Sequence, residues 1–188
     1  WDNVAISKDG KKLAAITTDE ENIIYVYSFE KQQWKAFELY NPTFTQGLST
    51  GEVLYADALE WDYTGEYLMY DAYNKLNSVN GQPIDFWDVG FIKVWDNVTK
   101  NFGDGSIEKL FSNLPEGVSI GNPSFSKNSP FIVAFDYFDF DKDEYYLLAV
   151  NIETNDLVEV FQNTILSYPN YSKNDNKIIF DALDNSNN

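Results

Sequence analysis

Three aspartates alternate within DYFDFDKDE (Asp136–Glu144), at Asp139, Asp141 and Asp143. Acids at every second position match the opening ligands of an oxygen-donor calcium loop, so this is a candidate calcium site. Two parts of such a loop are missing. Counting from Asp139, position six is Glu144 where the sharp turn asks for Gly, and position twelve is Val150 where a bidentate acid belongs. A second candidate joins Asp85, Phe86, Trp87 and Asp88 in the turn-rich stretch NKLNSVNGQPIDFWDVG (Asn74–Gly90). Aromatics beside acids can stack a sugar or grip a basic protein segment, or they can fold back onto their own sheet. A third set is Asp71, Asp136 and Asp181, each closing an apolar run, with Thr17 in the equivalent place. Strand-end capping is the expected role of that set, ahead of a polar ring.

The residues that are missing exclude more than those present suggest. There is no His and no Cys among 188 residues. Ser–His–Asp and Cys–His catalysis, imidazole or thiolate metal ligation and disulfides are therefore absent from this chain. The Gly-x-Ser-x-Gly elbow is also missing. Ser7-Lys8-Asp9-Gly10 lacks the spacing of a sialidase-type Asp box, and acids are too abundant for any carboxylate pair to identify a glycosidase. The formal net charge of −17 repels phosphate backbones and anionic membranes, so nucleic acid is not an expected partner. It suits cations and basic protein patches. No apolar run approaches the roughly 20 residues of a membrane-spanning helix. Asn97-Val98-Thr99 and Asn170-Tyr171-Ser172 match the glycosylation sequon, which matters only in a eukaryotic secretory setting.

The elements that would position these residues are strands. Aromatics make up 17% of the chain, mostly Tyr and Phe, and helical periodicity is absent. One sentence recurs along the chain: a short apolar strand, a polar turn, then a second apolar strand. Its copies are VAISKDGKKLAAIT (Val4–Thr17), LEWDYTGEYLMYD (Leu59–Asp71), NPSFSKNSPFIVAFD (Asn122–Asp136) and YPNYSKNDNKIIFD (Tyr168–Asp181). A Ser or Asp opening such a turn accepts a backbone N–H two or three residues on, which explains its recurrence without a ligand. Two further strands follow in the first three copies, as in IIYVY (Ile23–Tyr27) then WKAFEL (Trp34–Leu39). Inner strands are apolar throughout and the outermost alternates, as in a four-stranded unit with an exposed edge. Insertions are expected at Asn41–Leu54, Asn74–Gly90 and Asn97–Gly105, and variable loops on a regular scaffold often carry binding.

These motifs resemble the WD-like repeat of TolB-type β-propellers. ISKDGKKLAAI (Ile6–Ile16) fits best, FSKNSPFIVAF and YSKNDNKIIF replace the Gly by Ser129 and Asp175, and IKVWD (Ile92–Asp96) is similar to a third-strand ending of WD repeats. The resemblance implies an all-β fold of four-stranded antiparallel blades, at about residues 1–43, 55–114, 120–163 and, in part, 165–188. Propellers close with about 4–8 blades, so a fragment or incomplete ring is expected. The chain also starts at Trp1 without Met, as a processed or cut product would. The implied function is a non-catalytic scaffold for protein–protein interaction, periplasmic or extracellular. The alternatives are the propeller part of a larger hydrolase, as a peptidase gate or a carbohydrate-active ring, and a calcium-stabilised extracellular module.

Overall fold

The structure, a computed structural model, describes residues 1–42, 48–78 and 81–183. It divides into two compact units, Trp1–Asn113 and Leu114–Asn188. All regular elements among the described residues are strands, and no helix is long and apolar enough to cross a membrane.

In the first unit, β1 (Val4–Ile6), β2 (Lys12–Ala15), β3 (Ile23–Ser28) and β4 (Gln33–Glu38) form an antiparallel meander in that order. The second sheet runs through β5 (Leu48–Trp61), β6 (Tyr67–Ser78) and β7 (Pro83–Lys93), then skips a small hairpin of β8 (Trp95–Asp96) and β9 (Asn101–Phe102). Its edge is β10 (Ile107–Lys109), paired to β7. The two sheets bury their facing apolar sides in one core, with Ala14, Ile24 and Val26 from the first and Leu68, Tyr70 and Ile92 from the second, all at most 1% exposed. The Trp61 indole crosses between them, donating to the Ala5 carbonyl at 3.0 Å.

The second unit repeats the plan with β11 (Val118–Phe125), β12 (Ile132–Asp139), β13 (Glu144–Asn151) and β14 (Asp156–Asn163). A two-stranded piece, β15 (Asn170–Tyr171) and β16 (Ile178–Ile179), packs Tyr171 against Ala134 and Leu147. Burial pushes the Tyr171 phenol up to about 12.

The recurrent turns are held by their opening side chains, which at Ser7 and Ser172 reach the N–H five residues on rather than the two or three expected. Ser7 Oγ accepts the Lys12 N–H at 3.0 Å, and Ser172 Oγ accepts the Lys177 N–H at 3.2 Å. Asp62 does more, accepting the N–H groups of Thr64, Glu66 and Tyr67 at 2.9–3.0 Å. Gly10 and Gly65 supply the positive φ of 71° and 68° that these turns need. Asp175 holds the same kind of position at φ 57°, at a cost of about 1 kcal/mol. Its carboxylate explains the exchange: it accepts the N–H groups of Lys127 and Asn128 at 2.6 and 2.7 Å, tying the last turn to the one before. Glycine could not make that link.

The insertions fold differently from expectation. Most of Asn74–Gly90 is strand and not loop: β6 and β7 stay in register from Tyr67↔Lys93 to Asn77↔Pro83, while residues 79 and 80 lie outside the described residues. The strand that ends at Trp61 begins at Leu48, so part of the insertion expected at Asn41–Leu54 joins the same ribbon, while residues 43–47 lie outside the described residues. Asn74, Asn77 and Ser78 are poor strand formers, but burial of Val53 and Leu76 at 4% and 1% exposure overrides propensity. Asn97–Gly105 contains the β8–β9 hairpin, whose turn is capped by Asp96 accepting the N–H groups of Val98 and Thr99 at 2.8 Å.

Candidate functional site

Pairing of β5, β6 and β7, unbroken between β6 and β7 and shifted in register at three places between β5 and β6, gives the ribbon two faces of different character. Side chains alternate along a strand, so Asp85 and Trp87 point to one side while Phe86 and Asp88 point to the other. The four residues that the sequence placed together are thus split. On the first face Tyr55, Tyr73 and Trp87 stand in direct cross-strand register. Their ring centroids are 5.8 Å (Tyr55–Tyr73), 5.5 Å (Tyr73–Trp87) and 5.6 Å (Tyr55–Trp87) apart, the last pair edge-on. All three are half-buried, so the cluster is supported from beneath and still reaches solvent.

Carboxylates surround these rings. Burial, then the negative charges of Glu20 and Asp57, raise the Tyr55 phenol above its usual range. Tyr73 is raised by burial and by Asp85, to which it is hydrogen-bonded. Asp57 is itself raised, by burial and by Asp2. In the next rung Lys75 sits opposite both Glu52 and Asp85, a cation between two acids. The result is a set of π faces rimmed by negative charge.

The opposite face is structural. Asp88 is buried, and its carboxylate meets Lys109 Nζ at 2.6 Å, with side chains 6% and 9% exposed. This pair fastens edge strand β10 to β7. Burial pushes the Asp88 carboxyl up, and Lys109 opposes that shift. Farther along the same face, Asn41 donates from Nδ2 to the Asn74 side-chain carbonyl at 2.8 Å.

In the second unit, Asp139, Asp141 and Asp143 lie at the β12–β13 hairpin. Asp139 accepts the N–H groups of Asp141 and Lys142 and binds Lys142 Nζ at 2.7 Å, so its oxygens close the turn. Asp141 is exposed and approaches Gly117, and Asp143 takes a positive φ of 55°. Among the described residues no three acids converge as metal ligands do. Asp71 and Asp136 lie inside β6 and β12 rather than at strand ends, where capping was expected, and their carboxylates hold neighbouring backbone. Asp71 accepts the Ala58 N–H at 2.7 Å, and Asp136 accepts Ser167 N–H at 2.8 Å, Tyr168 N–H at 3.0 Å and Asn122 Nδ2 at 2.9 Å.

A second aromatic rung escaped the sequence reading. Two residues beyond Asp136, Phe138 pairs with Tyr145, centroids 4.1 Å apart and stacked, with Phe140 at 4.3 Å from Phe138. Tyr73 stands in the same relation to Asp71. The recurring signal is an aromatic two places after the Asp that follows these apolar runs, inside a strand that continues past it.

No family model matches the chain, and no curated protein does. Among solved structures it is similar to TolB from Acinetobacter baumannii, with a TM-score of 0.63 and 14% identity over 97% of this chain and 37% of TolB. It is also similar to the tricorn protease, with a TM-score of 0.51 and 13% identity over 95% of this chain and 20% of that protein. The chain therefore spans little more than a third of TolB's length. Such likeness speaks for fold, and with the repeated four-stranded sheets it identifies the chain as TolB-like β-propeller structure.

Proposed function

We propose that the chain is a non-catalytic protein-interaction scaffold whose ribbon face at Tyr55, Tyr73 and Trp87 holds a Lys- or Arg-bearing segment of another protein. The observation that carries this is the half-buried aromatic cluster rimmed by Glu20, Glu52, Asp57 and Asp85. A cation over an aromatic face contributes about 0.5–2 kcal/mol, depending on how far it is desolvated. Nearby carboxylates add attraction and exclude acidic partners. Rigid Tyr and Trp rings also lose little entropy when a partner settles on them. The −17 net charge steers basic segments towards the surface from a distance. A periplasmic or extracellular setting fits this role.

Isothermal titration with short lysine-rich, neutral and acidic peptides tests the proposal. Saturable binding of the basic peptide alone, weakened about tenfold by Trp87→Ala, is expected. Equal binding by Trp87→Ala would overturn it, and binding of a neutral oligosaccharide instead would assign the face to sugars.

The fold likeness to the tricorn protease supports a second reading, in which the chain is the propeller part of a larger hydrolase. With no His here, any Ser–His–Asp machinery would belong to another part of such an enzyme. A peptidase activity that survives every carboxylate change in this chain would favour it.

A further inference from the structure

A separate cavity in the first unit has the opposite electrostatic character. About 160 Å³ in volume, it is bounded by the Ser7–Lys12 turn, the end of β3 and the β8–β9 hairpin. Three ammonium groups line it (Lys11, Lys12, Lys100) against two carboxylates (Asp9, Glu30). In a molecule of net charge −17, a locally cationic cavity is unexpected.

The central cation is Lys12, whose side chain is only 3% exposed. A buried ammonium ordinarily needs a close carboxylate, because desolvation of a lone charge costs several kcal/mol. Among the described residues, Lys12 Nζ has only a long carboxylate contact, 3.4 Å to Asp9 Oδ2, together with the ring faces of Trp95 at 5.2 Å and Trp61 at 5.7 Å. The two carboxylates have other work. Asp9 accepts Ser7 Oγ–H at 2.6 Å and the Lys11 N–H at 3.0 Å, and Glu30 pairs with Lys11 Nζ at 2.6 Å. Ser28, 1% exposed, accepts the Lys31 N–H at 3.2 Å, which leaves its hydroxyl proton to donate. The cavity thus offers donors in excess of acceptors: Lys12, Lys100 and a serine hydroxyl.

We propose that this cavity binds a small oxyanion, a phosphate- or carboxylate-type group, seated against Lys12 and Lys100. Such a ligand completes the charge balance of Lys12 that Asp9 leaves partial. Lys100 holds its place by a left-handed backbone conformation, φ 52°, in the capped β8–β9 turn, so one anchor comes from each sheet region. The site is independent of the aromatic ribbon.

Backbone-amide NMR titration of the chain with sodium phosphate, sodium acetate and, at matched ionic strength, sodium chloride tests this. Saturable shifts at Lys12, Ser28 and the Trp95 indole are expected with phosphate or acetate, and the stronger of the two identifies the geometry preferred. Lys100→Glu places a carboxylate at the exposed rim without touching the core, and is expected to weaken binding at least about tenfold. Shifts that stay linear, that chloride reproduces, or that Lys100→Glu leaves unchanged would overturn the site.

Discussion

Replacing Lys109 by Met isolates the energetic role of the buried pair beneath the aromatic ribbon. Met preserves the length and packing of the aliphatic stem but leaves Asp88, 6% exposed, without its partner at 2.6 Å. Losing one member of a buried pair costs about 3–5 kcal/mol. Each kcal/mol lowers the melting temperature by about 2–4 °C in a protein of this size, so a fall of roughly 10 °C is expected. The pH dependence supplies a sharper check. Burial already raises the Asp88 carboxyl above its ordinary value, and without Lys109 it rises further. A raised carboxyl keeps its proton in the folded state, so stability falls as pH rises from the unfolded value towards the folded one. The penalty of Lys109→Met relative to the parent is therefore full near neutrality and shrinks as pH is lowered towards the ordinary Asp range. Adding Asp88→Leu to Lys109→Met removes the orphaned charge and is expected to recover most of the loss. Chemical denaturation across this pH range decides the matter. A loss that is independent of pH, or that the second substitution deepens, would refute the account of this pair.

Three further outcomes follow from particular contacts. Asp175→Gly relieves an unfavourable φ but forfeits two charge-assisted hydrogen bonds, so denaturation should show a net loss of about 1–2 kcal/mol; a gain would show that the link to Lys127 and Asn128 is idle. At Gly103 an added Cβ would overlap the Lys93 carbonyl oxygen, so Gly103→Ala is expected to destabilise by about 1–3 kcal/mol in a thermal melt. Because Lys142 and the turn N–H groups occupy Asp139, millimolar calcium is expected to leave the melting temperature unchanged. A rise in melting temperature that Asp141→Asn abolishes would make the alternating acids a calcium site after all.

Much of the architecture was written locally in the chain. The openers Ser7, Asp62, Ser126 and Ser172 mark each turn because their oxygens accept the N–H groups that a tight turn exposes, and the apolar runs beside them are the inner strands. What stayed hidden depends on register. Whether Trp87 shares a side with Phe86 or with Asp85 changes once Asn74–Gly90 becomes paired strand, and the Asn-rich, Pro-containing composition argues the other way. The Asp88–Lys109 pair requires Lys109 to fall opposite Gly90 on an edge strand, and no motif announces that. The cavity at Lys12 draws on Trp95 and Lys100, which are distant along the chain and meet Lys12 only in the folded structure. Asp139 looked like a ligand because spacing alone does not tell a metal loop from a hairpin whose first acid caps its own turn.

The ribbon as a binding face is the central claim, and Trp87 is the residue on which it turns. The most direct measurement is the affinity of the chain for a lysine-rich peptide, compared between the parent, Trp87→Ala and Phe86→Ala. Phe86 projects from the opposite side of the same strand, so it controls for any general effect on the ribbon. Binding lost with Trp87→Ala and kept with Phe86→Ala is the predicted result. Affinity that is indifferent to Trp87, or that falls equally with both, would contradict it.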